Sequence, residues 1–366
     1  MSPKLRYPGH APRRATVIGA GSFGTAVALL LERAGVRTTL LCRTAEQAER
    51  LNADGENRHY LPDVPLPQGL KVRVLGNHDE QFRRVDLLFL AVPSKGMGDA
   101  LRLIGEQGVP DTAGVVSMAK GMVPPDGTPP SVSLLRAFGP ERTACVAGPA
   151  HAREMVESGA GLVCASRSEA LAHRVAELFQ RAGVVCEVSD DPVGAELAGV
   201  AKNAAAVAVG ATQAQGLNAA GMAAADIFLE VLALAEGAGG QARTFVGRSG
   251  TGDLVATALA PSSRNRSAGE LLARGVPAPE IPKRLGQAVE ALETVPLLAR
   301  AMERAGVEAP VVSALSQLID GTLPLDDWVG LVRAKQPPPA RFGRPRTWWE
   351  RLKAWFRRRS LDSSER

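Results

Sequence analysis

The chain has 366 residues, 45% hydrophobic but only 4% aromatic, which suits two domains of ordinary size cored by Ala, Val and Leu. Its net charge of +5 is unevenly placed. Residues 335–366 hold ten Lys/Arg against three acids, so residues 1–334 carry −2, which excludes a basic nucleic-acid-binding body.

Residues 1–14 (MSPKLRYPGHAPRR) are basic and broken by proline, with no apolar core, so they do not read as a signal peptide. No apolar run reads as long enough to cross a bilayer. Residues 15–19 (ATVIG) are a short apolar strand that runs straight into Gly19-Ala20-Gly21-Ser22-Phe23-Gly24 and a helical run at 25–34. This is G-x-G-x-x-G between strand and helix, the context that dinucleotide binding requires. Gly19 permits the tight turn, Gly21 lets a pyrophosphate approach the backbone, and Gly24 lets helix and strand pack. The helix start offers free N–H groups to the phosphate. A second strand, 37–42, ends where the cofactor ribose is read. Arg43 stands there in place of Asp or Glu, which suits a 2′-phosphate; a solvated Arg at a strand end is the plainer alternative.

A helix at 45–53, a loop at 56–67 and a strand at 71–75 are expected next. The buried strand 86–92 runs into Pro93-Ser94-Lys95 at a carboxyl edge, and the strand 114–119 delivers Lys120-Gly121. Residues 142–147 lead into Gly148-Pro149-Ala150-His151-Ala152, and two more strands, 160–165 and 184–188, flank a helix at 169–181. The alternation stops near Ser189. The N-terminal part therefore reads as a doubly wound, mostly parallel α/β sheet of the Rossmann type. Cys42, Cys145, Cys164 and Cys186 lie in or beside these strands without a CxxC, as reduced thiols of a cytoplasmic protein would. The five histidines show no ligand spacing, and no metal is expected.

From Asp191 onward the pattern is helical. The run 196–210 (ELAGVAKNAAAVAVG) sets Lys202 and Asn203 on one helix face with Glu196, Gly199, Ala206 and Gly210. Small neighbours admit a ligand, and poor solvation of an ammonium lowers its pKa. The run 247–265 reads as loop, helix, loop and holds Asp253, Thr257, Arg264 and Asn265; a planar guanidinium beside an amide suits a phosphomonoester. A stiff proline linker at 336–340 leads to a tail in which Trp348, Trp349, Leu352, Trp355 and Phe356 form a helical apolar stripe flanked by Arg351, Lys353 and Arg357–Arg359. Such a helix suits a membrane surface, and equally the enzyme body or a second copy of the chain.

The runs GAGSFGTAVA, AVPSK, AKGM, GPAHARE, ELAGVAKNAAAVAVG, GTGDLVAT, PSSRNR and QAVEALET, in that order, resemble the bacterial NAD(P)-dependent glycerol-3-phosphate dehydrogenase family over about residues 13–333. The resemblance implies reversible reduction of dihydroxyacetone phosphate to sn-glycerol 3-phosphate with NADP or NAD, supplying phospholipid synthesis. It implies a Rossmann domain at 1–190, an all-α substrate domain of the 6-phosphogluconate-dehydrogenase-like type at 191–335, and a separate tail at 336–366. Lys202 becomes the catalytic acid/base, with Lys120, Asp253 and Thr257 around it. Gly148, Ala150, Ser263, Arg264 and Asn265 join Lys120, Lys202 and Asp253 in holding substrate. Gly19, Gly21, Ser22, Phe23, Gly24, Arg43, Lys120, Ala152, Arg264 and Glu290 hold the cofactor. A homodimer and a peripheral membrane contact through the tail are the partners considered, with no nucleic acid. Two positions depart from the family: Ala150-His151 replace Ser-Phe, and Asp226 stands where an Arg is usual. A related β-hydroxyacid or ketopantoate-type dehydrogenase and a non-catalytic NADP-binding sensor are the rival readings.

Overall fold

The computed structural model describes residues 12–76, 80–260 and 263–334. Its strands are β1 (Arg14–Ile18), β2 (Arg37–Cys42), β3 (Glu56–Asn57), β4 (Leu61–Pro65), β5 (Lys71–Val74), β6 (Leu87–Leu90), β7 (Gly114–Ser117), β8 (Thr143–Ala147), β9 (Gly161–Ser166) and β10 (Val185–Ser189). Eight of them form one sheet in the order β10-β9-β8-β7-β6-β1-β2-β5. All neighbours in it are parallel except β8 and β9. The chain leaves β1 toward β2 and β5, then crosses to β6 on the other side of β1. That reversal opens a crevice outside the carboxyl ends of β1 and β6, the usual ligand position in open α/β sheets. Alternate residues feed two cores: Val17, Leu40 and Phe89 face one, while Ile18, Leu41, Leu88 and Leu90 face the other.

The segment 56–67 is not the loop expected from sequence. It holds the antiparallel hairpin of β3 and β4. Pro62, Pro65 and Pro67 hide its strand signal, and a two-stranded edge tolerates them because few of its N–H groups are needed for pairing.

The helical half is built on the 21-residue helix Pro192–Thr212, of which 19 residues are buried. Asp191 caps it by accepting from the Gly194 N–H at 2.7 Å, and Pro192 suits the first turn. A helix apolar all round belongs inside a core, and here it is wrapped by others. Its glycines decide one crossing. A Cβ on Gly210 would overlap the Arg266 carbonyl, and one on Gly269 would overlap that of Val207. The helix Arg264–Ala273 therefore lies backbone against backbone on the long helix.

One expectation is corrected. The helix Leu217–Gly237 is long and apolar enough to cross a bilayer by length and composition, with mean hydropathy 1.6 and 44% of that window buried. Asp226, Glu230 and Glu236 interrupt the run in sequence and hid it. The helix packs along Pro192–Thr212, and buried Glu230 accepts from the N–H groups of Val311 and Val312 at 3.1 and 2.9 Å. The described residues up to Val332 belong to one compact unit. The tail with its aromatic stripe lies outside the described residues.

Candidate active site

At the crevice the glycines of the first loop each do a different job. Gly19 has φ +108°, and a Cβ there would overlap the Ala91 carbonyl that follows β6. A Cβ on Gly24 would overlap the Gly19 carbonyl. Gly21, in contrast, has nothing within 4 Å of the place a Cβ would take, so its backbone faces open space. It precedes the helix Ser22–Arg33, whose start has no side-chain cap. Uncapped N–H groups beside an open glycine fit a pyrophosphate. The loop is held by the Ala20 carbonyl, which accepts from Gln47 Nε2 at 3.0 Å and Asn57 Nδ2 at 3.1 Å. Arg43 is exposed directly after β2 and lines a cavity of about 370 Å³ with Arg50, Asn57, Arg58 and Tyr60. This is where a ribose phosphate would be read.

Across the crevice the long helix delivers Lys202, only 7% exposed rather than snorkelling outward. Lys120, at the carboxyl end of β7, reaches the same place. Asp253 Oδ2 receives both ammonium groups, Lys120 Nζ at 3.0 Å and Lys202 Nζ at 3.5 Å. Lys120 also donates to the Gly148 carbonyl at 3.0 Å and lies 5.8 Å over the Phe23 ring. Burial, then the neighbouring Lys120 charge, push the Lys202 pKa down to about 8, against the pull of Asp253 and Glu290. Burial pushes Asp253 upward, but the two lysines outweigh it and hold its carboxyl below the ordinary range. A lysine near 8 can give or take a proton at physiological pH. Deeper on the same helix, burial raises the Glu196 carboxyl to about 7, and it accepts from the Ser131 N–H at 2.8 Å.

Asn203 Nδ2 donates to the Lys120 carbonyl at 3.0 Å, and its Oδ1 accepts from Asn265 Nδ2 at 2.8 Å. The helix crossing at Gly210 and Gly269 thus brings Asn265 beside the lysine pair. Arg264 and Asn265 are not in a loop, as the sequence suggested, but open a helix. Arg264 is exposed and donates one nitrogen to the Ala288 carbonyl at 3.1 Å. Ser263, expected to hold substrate, is buried and spends its hydroxyl capping that helix by accepting from the Arg266 N–H. Thr257 is buried one turn beyond Asp253 on its helix. Gly148 has φ +107°, and a Cβ there would overlap the Gly161 carbonyl. Ala150 packs on the sheet core, exposed His151 precedes the Ala152–Glu157 helix without capping it by its side chain, and Asp226 is half-buried on Leu217–Gly237. Arg43 lines a separate cavity that includes none of these residues. Sequence reasoning passed over two residues: Asn203 as the bridge between Lys120 and Asn265, and Ser94, which donates to Glu290. The Pro-Ser-Lys run at a strand's carboxyl edge was the signal for Ser94. The four cysteines are buried and free.

A dinucleotide cradle at a sheet switch point, facing a buried Lys–Asp–Lys cluster, defines a nicotinamide-dependent dehydrogenase with a helical C-terminal half. Residues 14–172 match the family model for the NAD-dependent glycerol-3-phosphate dehydrogenase N-terminus, and 191–330 match that for its C-terminus. The chain belongs to this family. It is 38% identical over 313 residues to glycerol-3-phosphate dehydrogenase (NAD(P)+) of Deinococcus radiodurans, covering 83% of this chain and 90% of that one. It is 36% identical over 312 residues to the Thermus thermophilus protein of the same name, covering 83% and 93%. The solved glycerol-3-phosphate dehydrogenase of Coxiella burnetii superposes with TM-score 0.81 at 26% identity, over 88% of this chain and 99% of that one. A ketopantoate reductase from Ralstonia eutropha shares the fold alone, with TM-score 0.58 at 18% identity over 86% of this chain and 99% of that one.

Proposed function

We propose that the chain catalyses reversible NAD(P)H-dependent reduction of dihydroxyacetone phosphate to sn-glycerol 3-phosphate, in the cytoplasm and in support of phospholipid synthesis. In this reading residues 1–190 bind the cofactor, and 191–335 supply the substrate half. The observation that carries it is the sharing of one Asp253 oxygen by Lys120 and Lys202, with the Asn265 amide tied to the Lys120 backbone through Asn203. Gly19, Gly21 and Gly24 with the uncapped start of Ser22–Arg33 would hold a nicotinamide dinucleotide, which would supply hydride chemistry when bound. Lys202 gives a proton to the oxygen that becomes the alcohol, and takes it back in the reverse direction. Lys120 stabilises negative charge on that oxygen and keeps the Lys202 proton labile. Asp253 positions both ammonium groups. Arg264 and Asn265 hold the phosphate, while Gly148 and Ala150 border the three-carbon space with Thr257 in the surrounding polar shell. Oxidation of NADPH or NADH on addition of dihydroxyacetone phosphate tests the whole reading. Turnover with ketopantoate alone would establish the first rival, and cofactor binding without any turnover would establish the sensor.

Arg43 supports use of NADPH at least as well as NADH. Arg43→Asp is expected to shift the preference toward NADH about tenfold, since it removes a charge-assisted contact made only to a 2′-phosphate. A wild type that ignores NADPH, or a variant with unchanged preference, would place Arg43 away from the ribose.

Two partners are proposed, one from exposed apolar surface and one from the tail sequence. Leu217, Met222 and Leu229 are 80%, 44% and 57% exposed on Leu217–Gly237 and support a homodimer through that helix. Light scattering should give twice the chain mass, and a Leu229→Glu variant should give the chain mass. A monomeric wild type removes this reading. The tail stripe supports peripheral membrane contact, with about 1 kcal/mol per basic residue near an anionic surface. The full chain should co-sediment with anionic vesicles at low salt and come off as salt rises, while a chain ending at Gln336 stays soluble and active. If the full chain also stays soluble, the stripe serves the protein itself.

A further inference from the structure

The two halves meet at a second point, beside the lysine cluster. Ser94, 2% exposed, stands after β6 at its carboxyl end. Its N–H and its hydroxyl both donate to Glu290 Oε1, at 3.0 and 2.7 Å, across 196 residues of sequence. Two donors converging on one carboxylate oxygen fix its orientation. Next to this contact, Lys95 Nζ meets Glu293 Oε1 at 2.7 Å, an exposed pair that follows the same line between the halves.

Glu290 opens the helix Glu290–Arg304, and Thr294 lies one turn on, so both face the same way. Beneath them sits Gly121, the residue directly after Lys120. A Cβ on Gly121 would come 2.7 Å from Ser94 Oγ, 2.7 Å from Thr294 Oγ1 and 2.8 Å from Glu290 Oε1. A side chain at position 121, directly after Lys120, would therefore have to displace these polar groups. Glu290 also acts on Lys202 through space. The charged groups bearing on that ammonium are Lys120, Asp253 and, least strongly, Glu290.

We propose that Ser94 and Glu290 are a positioning pair: Ser94 fixes the Glu290 carboxylate over Gly121, and this sets both the register of Lys120 and the field at the Lys202 ammonium. The proton-transfer pair is then fully assembled only where the cofactor half and the helical half are clasped. Ser94 does its work through Glu290 and needs no contact with substrate. The proposal rests on Lys202 as the acid/base, yet it fails separately: a Lys202→Ala variant tests that reading, and the Ser94 and Glu290 variants test this one.

The experiment is the pH profile of kcat for dihydroxyacetone phosphate reduction at saturating cofactor, in full-length S94A, S94T, E290Q and S94A/E290Q, with melting curves confirming that each is folded. Glu290→Gln removes a negative charge near Lys202, so the inflection is expected to move to lower pH by about half a unit or more. Ser94→Ala is expected to move it the same way and to lower kcat about threefold to tenfold. Ser94→Thr keeps the hydroxyl and should restore both. The double variant should go no further than E290Q alone, because one contact carries both effects. An unmoved inflection in E290Q or S94A, with only the KM for cofactor raised, would reduce the pair to a cofactor contact and overturn the proposal. Additive effects in the double variant, or no rescue by threonine, would also overturn it.

Discussion

Lys202→Ala is expected to lower turnover by about 100-fold or more while cofactor binding is retained. General acid/base catalysis supplies ~10²–10⁴ in rate, and losing 100-fold amounts to about 2.7 kcal/mol of transition-state stabilisation. The variant should fold, because Asp253 keeps Lys120 as a partner at 3.0 Å and is not left with an unpaired buried charge. The same residue sets the sign of the pH dependence. Lys202 titrates near 8, so its acid form dominates below that value. Reduction needs the proton and should fall as pH rises through about 8; oxidation needs the free amine and should rise through the same region. Near-normal turnover in Lys202→Ala, or a reduction profile flat from pH 7 to 9, would assign proton transfer to another group.

Arg264→Ala should weaken dihydroxyacetone phosphate by roughly 10- to 150-fold, while activity toward unphosphorylated dihydroxyacetone barely changes. A charge-assisted contact is worth about 1.5–3 kcal/mol and exists only when the phosphate is there to receive it. Comparing the two substrates cancels any effect of Arg264 on the segment it holds through the Ala288 carbonyl, two residues before Glu290. Asn265 should show a smaller loss, since an amide brings no charge and is already engaged with Asn203 at 2.8 Å. Equal losses with both substrates would make Arg264 a structural residue that secures the segment before Glu290.

Ala150 is the departure that bears most directly on affinity. A missing hydroxyl contact costs about 0.5–1.5 kcal/mol, up to roughly tenfold in binding, and leaves the proton-transfer cluster untouched. The structure agrees with that limit: Ala150 packs on the sheet core, while Lys120 uses the backbone carbonyl of Gly148, which any side chain at 150 would leave in place.

By itself the sequence determined what depends on neighbours along the chain. The helix 169–181 and strand 37–42 were legible residue for residue, because the buried parallel strands and amphipathic helices of this half write their periodicity locally. The glycine loop was legible for the same reason: strand, turn and helix are contiguous, and Gly19 and Gly24 answer steric demands within a few residues of themselves or at the adjacent strand while Gly21 leaves open space. Lys120, Lys202, Asp253, Arg264 and Asn265 were legible as chemical types. Only the tertiary structure decided how they combine. Lys120 and Asp253 meet across 133 residues, and no local pattern says that both lysines share one oxygen, or that burial beside a second ammonium lowers Lys202 to about 8. The hairpin at β3 and β4 was hidden because its prolines speak against strands while an edge tolerates them. The cap made by the Ser263 hydroxyl was not legible, because a hydroxyl before an Arg-Asn pair suits a phosphate or a helix cap equally well in one dimension, and only the backbone geometry shows the cap. Ser94 and Glu290 were invisible as a pair for the plainest reason: a hydrogen bond spanning 196 residues exists only once two separately cored halves have packed together.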